Sequence, residues 1–146
     1  VSIQGIEVLN FWVPGPPKTK GSLTARAPRC HCCPACRGYV GQPQLRDSVS
    51  SGRWRKLVAY QATAAKVFQW TQVKPAFPLA GPVAVDLTFG LLGDPVATGA
   101  GDLDKLYRNV LDALTDAGVY EDDVQVVRLS GSKSEDEPGV RVRVVI

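Results

Sequence analysis

Apolar residues recur along this chain in two rhythms, and each rhythm predicts an element. Residues 3 to 13 are rich in β-branched and aromatic side chains and run into Pro14, which predicts a first strand. From about residue 52 to 71 the spacing turns helical, with Leu57, Tyr60, Ala64, Val67 and Phe68 on one face and Ser50 or Ser51 as N-cap. Pro75, Pro78, Gly81 and Pro82 then punctuate a connector before a strongly apolar strand, residues 83 to 92. A second helix carries Leu106, Tyr107, Val110, Leu111 and Leu114 as its buried stripe and ends at Gly118, which suits the C′ position. Two strands close the chain, residues 124 to 130 and 140 to 146, and the polar segment between them predicts a hairpin.

The order β-α-β-α-β-β predicts an α/β (α+β) sandwich: a mixed sheet with two main helices packed on it, in a single domain spanning 1 to 146. Residues 22 to 50 hold no long element. The chain's 146 residues suffice for one core, and a hydrophobic fraction of 45% with 21% charged residues argues against disorder or a fibrous repeat. No apolar run approaches the roughly 20 residues of a membrane span, so the reading is of a soluble, cytoplasmic protein.

Charge changes the picture more than composition does. The formal net charge is only +3, but residues 1 to 74 hold eleven Lys or Arg against Glu7 and Asp47, while residues 75 to 146 hold six against twelve acids. A basic half paired with an acidic half suits a protein that chelates a cation and yet must hold a polyanion. Segregation of this kind is also compatible with an ordinary solvated surface. Lys18 and Lys20, in the Pro- and Gly-rich segment after the first strand, are candidates to meet phosphate.

The acidic half concentrates its carboxylates around the second helix. Asp102 and Asp104 precede it, and Glu121, Asp122 and Asp123 follow it. Hard carboxylate oxygens in such a cluster are what Mg²⁺ or Mn²⁺ takes. Two acids at i and i+2 diverge by about 200° on a regular helix, so convergence requires an extended segment with Asp104 as N-cap of a helix beginning at Lys105. A strand starting after Asp123 could close the site if it lay beside residues 83 to 92. Asp104, Arg108 and Asp112 share a stripe, where Arg108 can meet a phosphate or make an exposed ion pair with Asp112. The plainer alternative for all these acids is helix capping and a solvated turn.

Asp102-Leu-Asp104, Leu106, Asp112-Ala-Leu114 and Asp122-Asp-Val-Gln-Val126 together resemble the signature of the RusA family of Holliday junction resolvases. That signature reads Asp-x-Asp-Asn-x-x-Lys, then Asp-Ala-Leu, then Asp-Asp-x-Gln-Val. The resemblance covers about residues 101 to 127, and Pro16-Pro17 is similar to the family's early loop. It implies a homodimeric, Mg²⁺-dependent endonuclease that cuts four-way or otherwise branched DNA, with Asp102, Asp104 and Asp123 on the catalytic metal. Two positions depart from the pattern. Lys105 stands where the family has Asn, and Arg108 where it has Lys; Arg keeps the cation but cannot release its proton.

Outside that pattern, all four cysteines fall within Cys30-His-Cys-Cys-Pro-Ala-Cys36. Cys33-Pro-Ala-Cys36 resembles a zinc knuckle, and Cys30, Cys32 or His31 can complete a tetrahedral set. Disulfides and a redox pair are the alternatives. The reading is a zinc-stapled loop, residues 28 to 42, within the nuclease domain and flanked by Arg26, Arg29 and Arg37. With Lys18, Lys20 and Lys105, these form the expected DNA-binding set. Two rival functions remain at this level: a non-catalytic zinc-containing nucleic-acid-binding module, and a small phosphohydrolase acting on nucleotides.

Overall fold

The structure is a computed structural model; it describes residues 2–21, 24–26, 44–46, 48–69, 71, 73–97 and 101–146. The cysteine cluster, His31, Arg29 and Arg37 lie outside the described residues. So does the side chain of Arg26.

A four-stranded mixed sheet is built from β1 (Glu7–Pro14), β4 (Val83–Leu91), β5 (Val126–Glu135) and β6 (Gly139–Val145). Helices α1 (Val49–Phe68) and α2 (Leu103–Asp116) complete the β-α-β-α-β-β order of the main layer. Two three-residue strands, β2 (Thr24–Arg26) and β3 (Gln44–Arg46), pair antiparallel as a separate ribbon before α1.

In the main sheet the strands lie side by side as β1-β6-β4-β5. The expected terminal hairpin is therefore corrected: β6 pairs antiparallel with both β1 and β4, while β5 runs parallel to β4 on the edge. The residues explain the exchange. Val140, Val142 and Val144 alternate cleanly and are buried between Val13, Phe11 and Leu9 on one side and Phe89, Leu87 and Val85 on the other. β5 is mostly polar and exposed, a composition that suits a strand with only one neighbour.

The core fills the space between one face of the sheet and the two helices. Leu106, Val110 and Leu114 of α2 are fully buried, each contributing about 1.5 to 3 kcal/mol by leaving water. On α1 the predicted face is wrong. Ser51, Trp54, Val58, Ala62 and Ala65 are buried, whereas Tyr60, Val67 and Phe68 are 70%, 57% and 81% exposed. Apart from Trp54 and Val58 the buried face is made of small side chains, which let α1 pack closely on its neighbours. The N-cap is Ser48, whose hydroxyl accepts the Ser51 amide, so neither Ser50 nor Ser51 caps the helix.

Gly118 ends α2 as expected. At φ 63° it donates to the Thr115 carbonyl, and Val119 donates to Leu114, the two bonds of a Schellman motif. No helix among the described residues is long and apolar enough to cross a membrane.

Candidate active site

The two leading acids sit at the start of α2, where the helix's positive end favours negative charge. Asp102, not Asp104, is the N-cap, with extended backbone and no side-chain cap bond; Asp104 lies in the first helical turn. This corrects the expected helix start at Lys105. It also frees the Asp102 carboxylate, which would otherwise be turned onto the helix amides.

Asp102 instead meets the Lys105 ammonium at 2.7 Å, and Asp104 lies 4.0 Å from the Arg108 guanidinium. The hydrogen bond and charge of Lys105 hold the Asp102 carboxyl below its ordinary range, and Asp102 in turn raises the Lys105 ammonium. Both acids are about two-thirds exposed, so these pairs hold the side chains only loosely in water. Arg108 does not pair with Asp112. That carboxylate is taken by Lys20 and by Arg55 at 3.5 Å.

Asp102 and Lys105 open onto a cleft of about 380 Å³ with Thr19, Val96, Gly101 and Lys133. Lys133 was not anticipated. It stands on β5 in register with Phe89, on the helix side of the sheet, and its ammonium donates to the Gly101 carbonyl at 3.0 Å. Nothing local marks a lone lysine in a polar strand; its position follows from β5 lying parallel beside β4. The cleft thus sets two cations around one carboxylate.

The third acid is elsewhere on the subunit. A turn of 3-10 helix, Asp123–Gln125, leads into β5. Asp122 caps it through the Val124 amide at 2.9 Å, and Gln125 closes the box by accepting from the Glu121 and Asp122 amides. The Gln125 amide group donates to the carbonyls of Leu79 and Gly81, both at 2.9 Å, tying this turn to the strand entering the sheet. Asp122 and Gln125 are therefore scaffold, and the Asp123 carboxylate is left to solvent. Desolvation first, then the hydrogen bond and charge of Asp122 and the charge of Asp112, push Asp123 above the ordinary carboxyl range.

β5 does lie beside β4, as the closing of the site required, but parallel. Asp123 thus stands near Val83, where β5 begins, and the Asp102 cleft stands at Lys133, paired with Phe89. Six strand residues separate Val83 from Phe89, about 20 Å. The 14 residues of α2 give the same separation, about 21 Å. One chain does not bring Asp123 to Asp102 and Asp104, and among the described residues no three His, Cys, Asp or Glu side chains group to hold a metal.

Of the expected DNA contacts, Lys18, Lys20 and Lys105 lie among the described residues, and only Lys105 lines this cleft. The Pro16–Lys20 segment crosses the start of α2, held by Lys20 N–H to Lys105 O at 3.1 Å and by the buried Asn109 amide to Lys18 O at 2.8 Å. Thr19 faces the Asp102 cleft, Lys18 a second cleft, and Lys20 is committed to Asp112.

Compared with known protein families, residues 40–145 match the model described as Endodeoxyribonuclease RusA. No curated protein matches the chain.

Proposed function

Because this chain belongs to the RusA endodeoxyribonuclease family, we propose that it is a metal-dependent nuclease that resolves four-way or otherwise branched DNA as a homodimer. The observation that carries this reading is the placement of Asp102, whose side chain makes no cap bond, in a cleft that also holds Lys105 and Lys133, with Asp104 in the first turn of the same helix.

The donor set fits a small hard dication in part. Two exposed carboxylates at a helix N-terminus offer oxygen ligands, and such an ion keeps waters and takes substrate phosphate oxygens for the rest. When bound, it supplies Lewis-acid polarisation of the phosphate and activation of a water. Asp102 and Asp104 would hold it. Lys105, turning from Asp102 to the phosphate, and Lys133 neutralise the charge that builds on the phosphoryl oxygens as water adds to phosphorus and the bond to the 3′ oxygen breaks. Arg108 adds a fixed charge at the cleft's edge without exchanging a proton.

Asp123 joins this site from a second copy. β5 is an edge strand; Val127 and Leu129 on it are 52% and 37% exposed, and Val124 in the 3-10 turn before it is 78% exposed. The unpaired backbone of an edge strand, here with apolar side chains at its start, is a template for pairing with another strand. If two copies pair β5 antiparallel about a two-fold axis near Val127 or Arg128, each Asp123 falls beside residue 131 to 133 of the other copy, at the Asp102 cleft. Both three-acid sites are then completed, and a shared cation would favour the charged form of Asp123, which desolvation first and then its acidic neighbours disfavour in the single chain. Two sites related by a two-fold axis also suit paired cuts on opposing strands.

Zinc at Cys30, Cys32, Cys33 and Cys36, with His31 as substitute, is part of the same proposal and rests on their spacing alone.

The test is cleavage of a synthetic four-way junction with Mg²⁺, comparing wild type with Asp104→Asn. Cutting by wild type alone is expected. Binding without cutting by wild type would favour the non-catalytic module, and turnover of free nucleotides with no preference for branched DNA would favour the phosphohydrolase.

A further inference from the structure

Among the described residues, the cations of the basic half divide into those that are neutralised and those that make no ion pair. Lys20 and Arg55 are paired with Asp112 and Asp116, and Lys66 is spent on the carbonyls that end α2. Lys18 and Arg53 make no ion pair among the described residues, and both line one cleft of about 420 Å³ with Pro16, Val49, Ser50 and Trp54. No acidic side chain lines it among the described residues. Its floor is the first turn of the 20-residue α1, where the Ser48 hydroxyl accepts the Ser51 amide and the leading amides of a helix have no intrahelical acceptor. A second observation points the same way. Trp54 is 4% exposed, and its indole N–H has no hydrogen-bond partner among the described residues, which a buried donor rarely lacks.

We propose that this cleft is a nucleotide-binding subsite, taking a DNA backbone phosphate on Arg53, Lys18 and the α1 N-terminus, with the attached sugar and base against Pro16 and Val49. The volume is that of a small-ligand pocket, and the donors are those that recognise phosphate. It sits beside the cutting site because Lys18 and Thr19, adjacent in the chain, open onto the two clefts in turn. Asn109 fixes that arrangement. Its buried amide donates to Lys18 O at 2.8 Å and to Ser51 O at 3.4 Å, binding the segment, α1 and α2 at one point. A strand gripped here is presented to the Asp102 cleft by a rigid part of the fold.

The proposal rests on the nuclease reading for its ligand and is tested without any cutting. The uncut full chain is titrated with the dinucleotide pTpT in Ca²⁺ while the tryptophan indole N–H resonances are followed by NMR, Trp54 being assigned by loss of its signal in Trp54→Phe. The Trp54 resonance is expected to move with pTpT and, more weakly, with inorganic phosphate. Thymidine without phosphate should leave it still. Arg53→Gln, at an exposed position, should bind pTpT several-fold more weakly and should flatten the salt dependence of junction binding by about 0.7 to 0.9 in log K per log salt, one phosphate contact. A Trp54 signal unmoved by saturating pTpT, or an Arg53→Gln protein with wild-type pTpT affinity and salt slope, would overturn the subsite. Failure to cut a junction would count against the nuclease reading alone.

Discussion

If each active site draws Asp102 and Asp104 from one copy and Asp123 from the other, two inactive proteins should make an active one. Asp104→Asn and Asp123→Asn are carried on separately tagged chains, co-expressed, and the heterodimer is isolated through both tags. The geometry makes the distinction sharp, because Asp123 and the Asp102 cleft lie about 20 Å apart in one chain, far beyond what a metal can bridge. Either homodimer should lose at least about a hundredfold in junction cleavage, since even outer-sphere partners of a metal ligand are worth 10- to 100-fold. In the heterodimer, one site carries both substitutions and the other none. It should therefore nick at about half the wild-type rate, as one of two symmetry-related sites is whole. It should also accumulate singly nicked junctions where wild type gives paired cuts. The assay is a denaturing gel of end-labelled junction strands against time. A heterodimer as inactive as its parents would refute the shared site and require all three acids to act within one chain.

Four further outcomes are expected. Gln125→Ala removes the bonds tying the 3-10 turn to Leu79 and Gly81 and should cost about 1 to 3 kcal/mol in denaturant unfolding, with junction affinity preserved better than cutting. Gly118→Ala forces a Cβ into a left-handed residue and should lower stability by about 1 kcal/mol, read as a fall in Tm. The lowered Asp102 carboxyl stabilises the fold above its unfolded pKa and loses that contribution as pH falls through the folded value, while the raised Lys105 ammonium contributes below its unfolded pKa and loses it at high pH; Lys105→Gln should return Asp102 toward an ordinary titration, seen by carboxyl NMR. Metal analysis of the purified chain should find one zinc that Cys33→Ser diminishes, and zinc-free protein would refute the cysteine reading.

Much of the site could be read from residue order. The Asp102-x-Asp104 pair before an amphipathic helix, the Gly118 stop and the Asp122, Asp123, Gln125 turn are local patterns, and local patterns reflect the backbone's own periods and caps. The Asp122 carboxylate is occupied as the cap of that turn. What misled was the weight given to size on α1. Tyr60, Val67 and Phe68 looked like core, yet Trp54, Ala62 and Ala65 take the buried face, since a helix's inner side is chosen by what it packs against.

The sequence by itself determined the main elements, their order and the family. Tertiary structure decided which strands are neighbours, and with that the function of the parts. Placing β6 between β1 and β4 sends β5 to the edge, turns Lys133 onto the Asp102 cleft and leaves Asp123 at the far end of α2. Strand order is settled by pairing between residues distant along the chain, where alternating valines claim the centre and polar residues accept the rim. No window of sequence contains that competition, because its outcome depends on every strand at once.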